Sequence, residues 1–261
     1  MTDAIQHSET QARLTFQRIL QNASLLTRQV HGAGFVIPFS HEPRLIKPEQ
    51  AVKRHAVPDD PTLHQKWGEL VQQNQARMVS DGSPGFYSPS FLIPKKERGS
   101  WRLISDLRRL NRHVLHEHVK MPNINSILPS LRKGSLMATF DVKDGYFNVP
   151  IAPQCQCYFR FIVGTKVYEL TRLPMGFVGS MQAFNQWLKP YVETLRALFP
   201  ELQMFSYVDD CLIVLPKQLR VTARKTIRKV LAKLETLGLP LKNENTEWEP
   251  SKKAQILGFV L

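Results

Sequence analysis

With 261 residues, 43% of them hydrophobic, the chain is long enough to bury a substantial core, in one large domain or two small ones. Lysine and arginine number 35 against 22 acids, a net charge of +13 that suits a polyanionic partner but also fits a merely basic soluble protein. Three cysteines (Cys155, Cys157, Cys211) form no CxxC pair and argue against a disulfide framework, and no apolar run approaches the ~20 residues of a membrane helix. The polar first thirty residues lack the apolar core of a signal peptide, so an intracellular, reducing compartment, cytoplasmic or nuclear, is expected.

In chain order, Leu14, Phe16, Ile19, Leu20, Ala23 and Leu26 predict a helix from about Thr10 to Val30, ended by Gly32 and Gly34. Five prolines between Pro38 and Pro61 predict an extended arm. Trp67, Leu70, Val71 and Met78 predict a helix over Leu63 to Val79. Phe91-Leu92-Ile93 and Trp101-Arg102-Leu103-Ile104 read as a strand pair turning at Glu97 to Ser100. Leu136 to Phe140 reads as a short buried strand ending at Asp141. A helical stripe runs from Met181 through Phe184, Trp187, Leu188, Tyr191, Val192 and Leu195 to Leu198, with Pro190 as a kink. Ile227, Val230, Leu231, Leu234 and Leu237 trace another, closed by Gly238. Both stripes read as core faces. His113, His116 and His118 have no metal-ligand spacing and read as a surface segment.

The chemistry concentrates at Asp209-Asp210, set between the apolar runs Leu202–Phe205 and Cys211–Leu215. Buried unpaired carboxylates cost several kcal/mol or shift their pKa. A tight turn presents both acids at a sheet edge, where a divalent cation relieves their repulsion. Taken alone, the pair fits a solvent-exposed hairpin turn equally well. Asp141, about seventy residues earlier, would complete a three-acid site able to hold two metal ions.

These residues resemble the catalytic motifs of reverse transcriptases: Phe140-Asp141 with Tyr146-Phe147, and Tyr207-Val208-Asp209-Asp210. Further blocks follow in the family's order. Phe91 to Lys96, Trp101-Arg102, Asp106-Leu107-Arg108 and Leu110-Asn111 resemble its fingers. Leu173-Pro174-Met175-Gly176-Phe177 resembles its template and nucleotide motif, and Leu257-Gly258-Phe259 the start of its primer grip. The match covers about two thirds of the chain, from about Ser83. Gly85-Phe86-Tyr87-Ser88 and Asp144-Gly145-Tyr146-Phe147 are worded most like retrotransposons that integrate with a tyrosine recombinase, ahead of long-terminal-repeat elements and pararetroviruses.

The resemblance implies an α+β fold, right-hand polymerase fingers and palm with an antiparallel palm sheet packed on helices. Residues 1–62 would form an N-terminal helix and proline-rich arm, and residues 63–261 the fingers and palm. It implies RNA-directed DNA polymerisation of dNTPs on a primed RNA or DNA template. Asp141, the neighbouring Val142, Asp209 and Asp210 would hold two Mg²⁺, for which Mn²⁺ can substitute. Lys95 and Arg102 would grip the triphosphate, with the amides of Asp144 and Gly145 near the phosphates. Tyr146 would exclude a ribose 2′-hydroxyl, Met175 would pack on the nucleotide, and Gly176 would let the backbone approach the new base pair. Where the family usually carries a lysine as proton donor to pyrophosphate, this chain has Asn245, which cannot act as an acid near neutral pH; nearby Lys242 fits a substitute general acid and a solvated lysine equally well. Leu257, Gly258 and Phe259 would form the primer grip, and no residues follow for a thumb or RNase H. The chain is therefore expected to be an excerpt of a retrotransposon polyprotein, with thumb, RNase H and recombinase or integrase regions as fused or associated partners. A non-catalytic nucleic-acid-binding module and an RNA-dependent RNA polymerase are the alternatives. The intact acids argue against the first; Tyr146, and Tyr207 ahead of Val208-Asp209-Asp210, argue against the second.

Overall fold

The computed structural model describes residues 2–54, 58–97, 99–115, 124–246, 248–256 and 259–260. Helices α1 (Thr2–Gln21), α2 (Leu25–Gly32), α3 (Pro48–Arg54) and α4 (Pro61–Gln72) come first. Strands β1 (Ala76–Val79), β2 (Ser90–Pro94) and β3 (Trp101–Ser105) lead to two single-turn helices, α5 (Arg108–Asn111) and α6 (Ile124–Ile127). Then follow β4 (Leu136–Asp141), α7 (Pro153–Gln156), β5 (Arg160–Val163), β6 (Lys166–Leu170) and the long α8 (Ser180–Leu198). The hairpin β7 (Gln203–Tyr207) and β8 (Asp210–Leu215), helix α9 (Ala223–Thr236) and the pair β9 (Gln255–Ile256) and β10 (Phe259–Val260) complete the chain. The result is a mixed α+β fold with antiparallel sheets, as expected.

The chain divides into two compact units, each assembled from separated segments. The first comprises Met1–Arg28, Val119–Gly145 and Asn185–Leu261; the second, Gln29–His118 and Tyr146–Phe184.

The first unit is built on the antiparallel sheet β4-β8-β7, with β8 in the centre. A central strand covered on both faces reads as an unbroken apolar run, and Cys211 to Leu215 are all buried. On one face Leu212 and Val214 pack with Met137, Ile127 and Ala254. Register pairs Leu136 with Leu215 and Asp141 with Asp210, so β4 and β8 bring one apolar end and one acidic end together. Helix α9 buries Ile227, Val230, Leu231 and Leu234 along one stripe. Gly238, at φ +84°, closes it: its N–H donates to the Glu235 carbonyl, and Leu239 N–H to that of Leu234. The Phe16 ring of α1 meets the Tyr191 ring of α8 at a tilt of 51°, with centroids 4.8 Å apart.

The second unit holds the sheet β1-β6-β5 and the hairpin β2-β3. Trp67 of α4 is fully buried, stacked on Tyr168 at 5.2 Å, and its indole N–H donates to Ser90. Beneath it Glu169, also fully buried, accepts from Arg160 at 2.6 Å and from Arg77 at 2.6 and 2.8 Å.

Five expectations are corrected. The single N-terminal helix is two: it starts at Thr2 and breaks at Asn22 to Ser24. There the Asn22 amide bonds back to the Arg18 carbonyl, and the Ser24 hydroxyl accepts from Thr27 N–H to open α2. The proline-rich arm contains α3, because Pro48 sits at a first helical position and Gln50 reaches back to Lys47 N–H. The helix from Leu63 stops at Gln72, and Ala76–Val79 instead pairs with β6, leaving Met78 59% exposed. His113 is half-buried, 4.4 Å from the His41 ring and edge-on to Phe86, so it is no free surface residue; His116 and His118 lie outside the described residues. One residue of the α8 stripe, Met181, is exposed, whereas Phe184 to Leu195 of that stripe are buried.

Candidate active site

Asp141 ends β4 and Asp210 opens β8, and their Cα atoms are direct partners across the sheet. Tyr207 and Asp210 are also paired, so Val208 and Asp209 form a two-residue hairpin loop. Val208 has φ +54°, a left-handed conformation that strains a β-branched residue and sharpens the turn. Backbone bonds stitch three segments here. Val142 N–H donates to the Asp209 carbonyl at 3.1 Å, Lys242 N–H to the Asp141 carbonyl at 2.9 Å, and Lys143 N–H to Pro240 at 2.9 Å. Val142 is buried and bridges Leu241, while the Lys242 side chain is exposed. A Cβ on Gly145 would lie 4.0 Å from an Asp209 carboxylate oxygen, so that glycine borders the acids.

The electrostatics follow from that packing. Desolvation first, then the Asp141 charge and hydrogen bond and the Asp209 charge, push the Asp210 carboxyl up to about 6. The neighbouring Cys211 thiol is raised by burial and by the same acids. A cluster of carboxylates in this condition is a hard, oxygen-rich donor set of the kind that suits a divalent cation. The set is a close pair plus one: Asp209 is exposed, and among the described residues no trio of His, Cys, Asp or Glu side chains closes into a ready metal cage.

Of the remaining predicted residues, Lys95, Arg102, Tyr146, Met175 and Gly176 lie in the second unit, and Asp144 and Phe259 in the first. In the hairpin, Ile93 faces Arg102, and Lys95 N–H continues the ladder to the Ser100 carbonyl. Strand alternation therefore puts Lys95 and Arg102 on one face, and both are exposed. Asp144 is exposed at φ +61°. The Tyr146 ring meets Phe184 edge-on at 5.7 Å. Met175 is 74% exposed. Gly176, at φ +87°, has the Ser105 carbonyl 3.4 Å from where a Cβ would stand, so a side chain there has room but a strained backbone.

Asn111 has a role the sequence did not announce. Its amide donates to the Gly176 carbonyl at 2.8 Å and accepts from Val178 N–H at 3.1 Å, clamping the loop that carries Met175. Only the approach of α5 to that loop reveals it; no local pattern around Asn111 does. Leu257 and Gly258 lie outside the described residues, and Phe259 enters only as a backbone partner of Ile256. No described helix is long and apolar enough to cross a membrane.

The profile of the family described as reverse transcriptase (RNA-dependent DNA polymerase) matches residues 93–261. The Pol polyprotein of equine infectious anemia virus (isolate 1369) is 32% identical over 154 residues, covering 55% of this chain and 13% of its own length. The Gag-Pro-Pol polyprotein of Human T-cell leukemia virus 2 is 31% identical over 187 residues, 67% of this chain and 12% of the relative. For the Gag-Pol polyprotein of Baboon endogenous virus (strain M7) the values are 31% over 188 residues, 65% and 10%. The chain thus spans about a tenth of the length of the curated relatives it matches. Ordered motifs, an acid-tipped antiparallel sheet and a family match over most of the chain agree: it belongs to the reverse transcriptase family, the RNA-directed DNA polymerases.

Proposed function

We propose that this chain extends a primer with dNTPs on an RNA or DNA template, using Asp141, Asp209 and Asp210, with Val142 beside them, to hold two Mg²⁺. The observation that carries the reading is the register that sets Asp141 opposite Asp210, so that carboxylates crowd one end of the sheet and raise the Asp210 carboxyl. When bound, the ions activate the primer 3′-hydroxyl and neutralise charge on the phosphates. The protein's own groups orient and discriminate. Lys95 and Arg102, on one face of a hairpin, neutralise the triphosphate. Tyr146, braced by Phe184, occludes a 2′-hydroxyl, while Asp144, Gly145 and Met175 line the nucleotide and Gly176 admits the new base pair. Lys242, anchored by its amide to the Asp141 carbonyl, is the proton donor to pyrophosphate in place of Asn245. Leu257, Gly258 and Phe259 grip the primer.

The wording of Gly85 to Ser88 and Asp144 to Phe147 supports a finer placement, a retrotransposon that integrates with a tyrosine recombinase, although the relatives found carry retroviral names. In that setting thumb, RNase H and recombinase or integrase regions are the fused partners. Three free thiols support a reducing compartment, cytoplasmic or nuclear, and Mn²⁺ is a workable substitute ion.

Primer extension with dNTPs and with NTPs, with and without Mg²⁺, tests the reading. Asp209→Asn, nearly isosteric, should fold normally and lose roughly 10³ or more in rate. Near-parental extension by the folded variant overturns the metal assignment.

A further inference from the structure

Between Lys217 and Lys229 the chain carries six cations and no acid: Lys217, Arg220, Arg224, Lys225, Arg228 and Lys229. All six are exposed. Amid them Val221 is 98% exposed, the most exposed of the large apolar side chains described. The Lys217 stem lies against Gly134, which brings in the exposed Arg132 and Lys133 of the turn before β4. Exposed Lys252 and Lys253 follow Ser251, which pairs with Met137 near the same end of β4. Glu249 supplies counter-charge, bonded to Arg224 at 2.6 Å and Arg228 at 3.1 Å, both pairs open to solvent and so weak.

This arrangement costs the helix stability. Arg224 and Lys225 occupy the first turn of α9, where cations oppose the helix dipole, and that turn holds no acid. Arg224 with Arg228 and Lys225 with Lys229 are like charges four residues apart, each pair mildly destabilising. A merely solvated face would be better served by interspersed acids.

The location matters as much as the charge. Asp210 opens β8 and Leu215 closes it, about 17 Å along the strand at ~3.3 Å per residue. The cations gather beyond Leu215, at the opposite end of the β4-β8 pair from the three acids.

We propose that this strip is a second nucleic-acid docking surface, gripping the phosphate backbone of a template or product strand away from the catalytic end. The identity of the strand rests on the polymerase reading; the preference for a polyphosphate rests on the charge alone. No aromatic residue lies between Lys217 and Lys229, so the strip has no stacking platform of its own and reads phosphates rather than bases. Its contribution is therefore insensitive to sequence and steeply sensitive to salt.

The test uses the full chain with Lys217, Arg220, Lys225 and Lys229 all changed to Gln, which leaves both Glu249 pairs in place. Binding of a long and a short primer–template is measured by anisotropy across a salt series, alongside single-nucleotide addition at saturating short substrate. For the long duplex the variant should bind at least tenfold more weakly. Its log K against log salt slope should shrink by roughly 3 to 4 units, about 0.9 per lost phosphate contact. Addition on the short substrate should be unchanged. A set of charge-preserving Lys and Arg exchanges at the four positions should bind like the parent. An unchanged slope in the folded Gln variant overturns the proposal. So does displacement of the duplex by polyglutamate as efficient as by a nucleic acid of equal charge, which would assign the strip to an acidic protein segment. A parental chain that binds but extends no primer defeats the polymerase reading and leaves this one intact.

Discussion

Glu169 and Asp210 are both acids withdrawn from water, and they meet that cost differently. Glu169 has two arginines on its carboxylate, and one of them, Arg160, is itself 4% exposed. Glu169→Ala should cost about 3–5 kcal/mol, because a buried guanidinium loses its counter-charge. The urea midpoint reads this directly, and a loss below ~1 kcal/mol would show that the ion pair contributes little. Asp210 has two carboxylates for neighbours and titrates at about 6. Its folded pKa stands above the ordinary carboxylate value, so the native state binds more protons than the unfolded one between about pH 4 and pH 6. Stability from this group is therefore lost as pH rises through that window. Without divalent cation, Asp210→Asn should melt above the parent at pH 7, and the gain should vanish below about pH 4. A melting difference that stays constant across that range contradicts the assignment. The same substitution should abolish extension, so the site is held at the expense of stability.

At the scale of elements, legibility tracked how local the deciding force was. Helix α9 was readable because its stripe and its closing glycine lie within the segment itself. The β7–β8 turn was readable from the apolar runs flanking Asp209-Asp210, yet nothing predicts a left-handed valine at 208, which only the strand register enforces. The stretch Leu63 to Val79 misled because its apolar spacing fits a helix throughout. What ends α4 is the demand of β6 for a partner at Ala76–Val79, a contact some ninety residues away in sequence. At the other end of α4, Asp60 accepts from Thr62 N–H at 2.7 Å and Leu63 N–H at 3.1 Å. Asp60→Ala should cost about 1 kcal/mol, visible as a lower melting temperature with the fold retained. The three acids were legible as a group because each interrupts an apolar run, whereas the Asn111 clamp was hidden because both of its bonds cross from one segment to another.

For the molecule as a whole, the interleaving of the units governs behaviour. The chain passes between them after Arg28, His118, Gly145 and Phe184, so neither unit is a continuous stretch. Cutting at Gly145 separates β4 from β8 and splits both units. Fragments 1–145 and 146–261 should each lack cooperative melting alone and regain it when mixed, as followed by circular dichroism. A cooperative transition in either fragment by itself would show that one unit's core is more local than its segments imply.

The central place of β8 also sets how long β4 must wait for its partner during synthesis. Strand β4 leaves the ribosome about seventy residues before the strand that covers its edge. At ordinary elongation rates of ~5–20 residues per second, that is roughly 4 to 14 seconds with Leu136 to Phe140 unpaired. An apolar edge left open for that long is an invitation to a second nascent chain. The polymerase palm is thus most exposed to misassembly before its last acids have been translated, and holding that strand is a task for whatever chaperone meets the chain first.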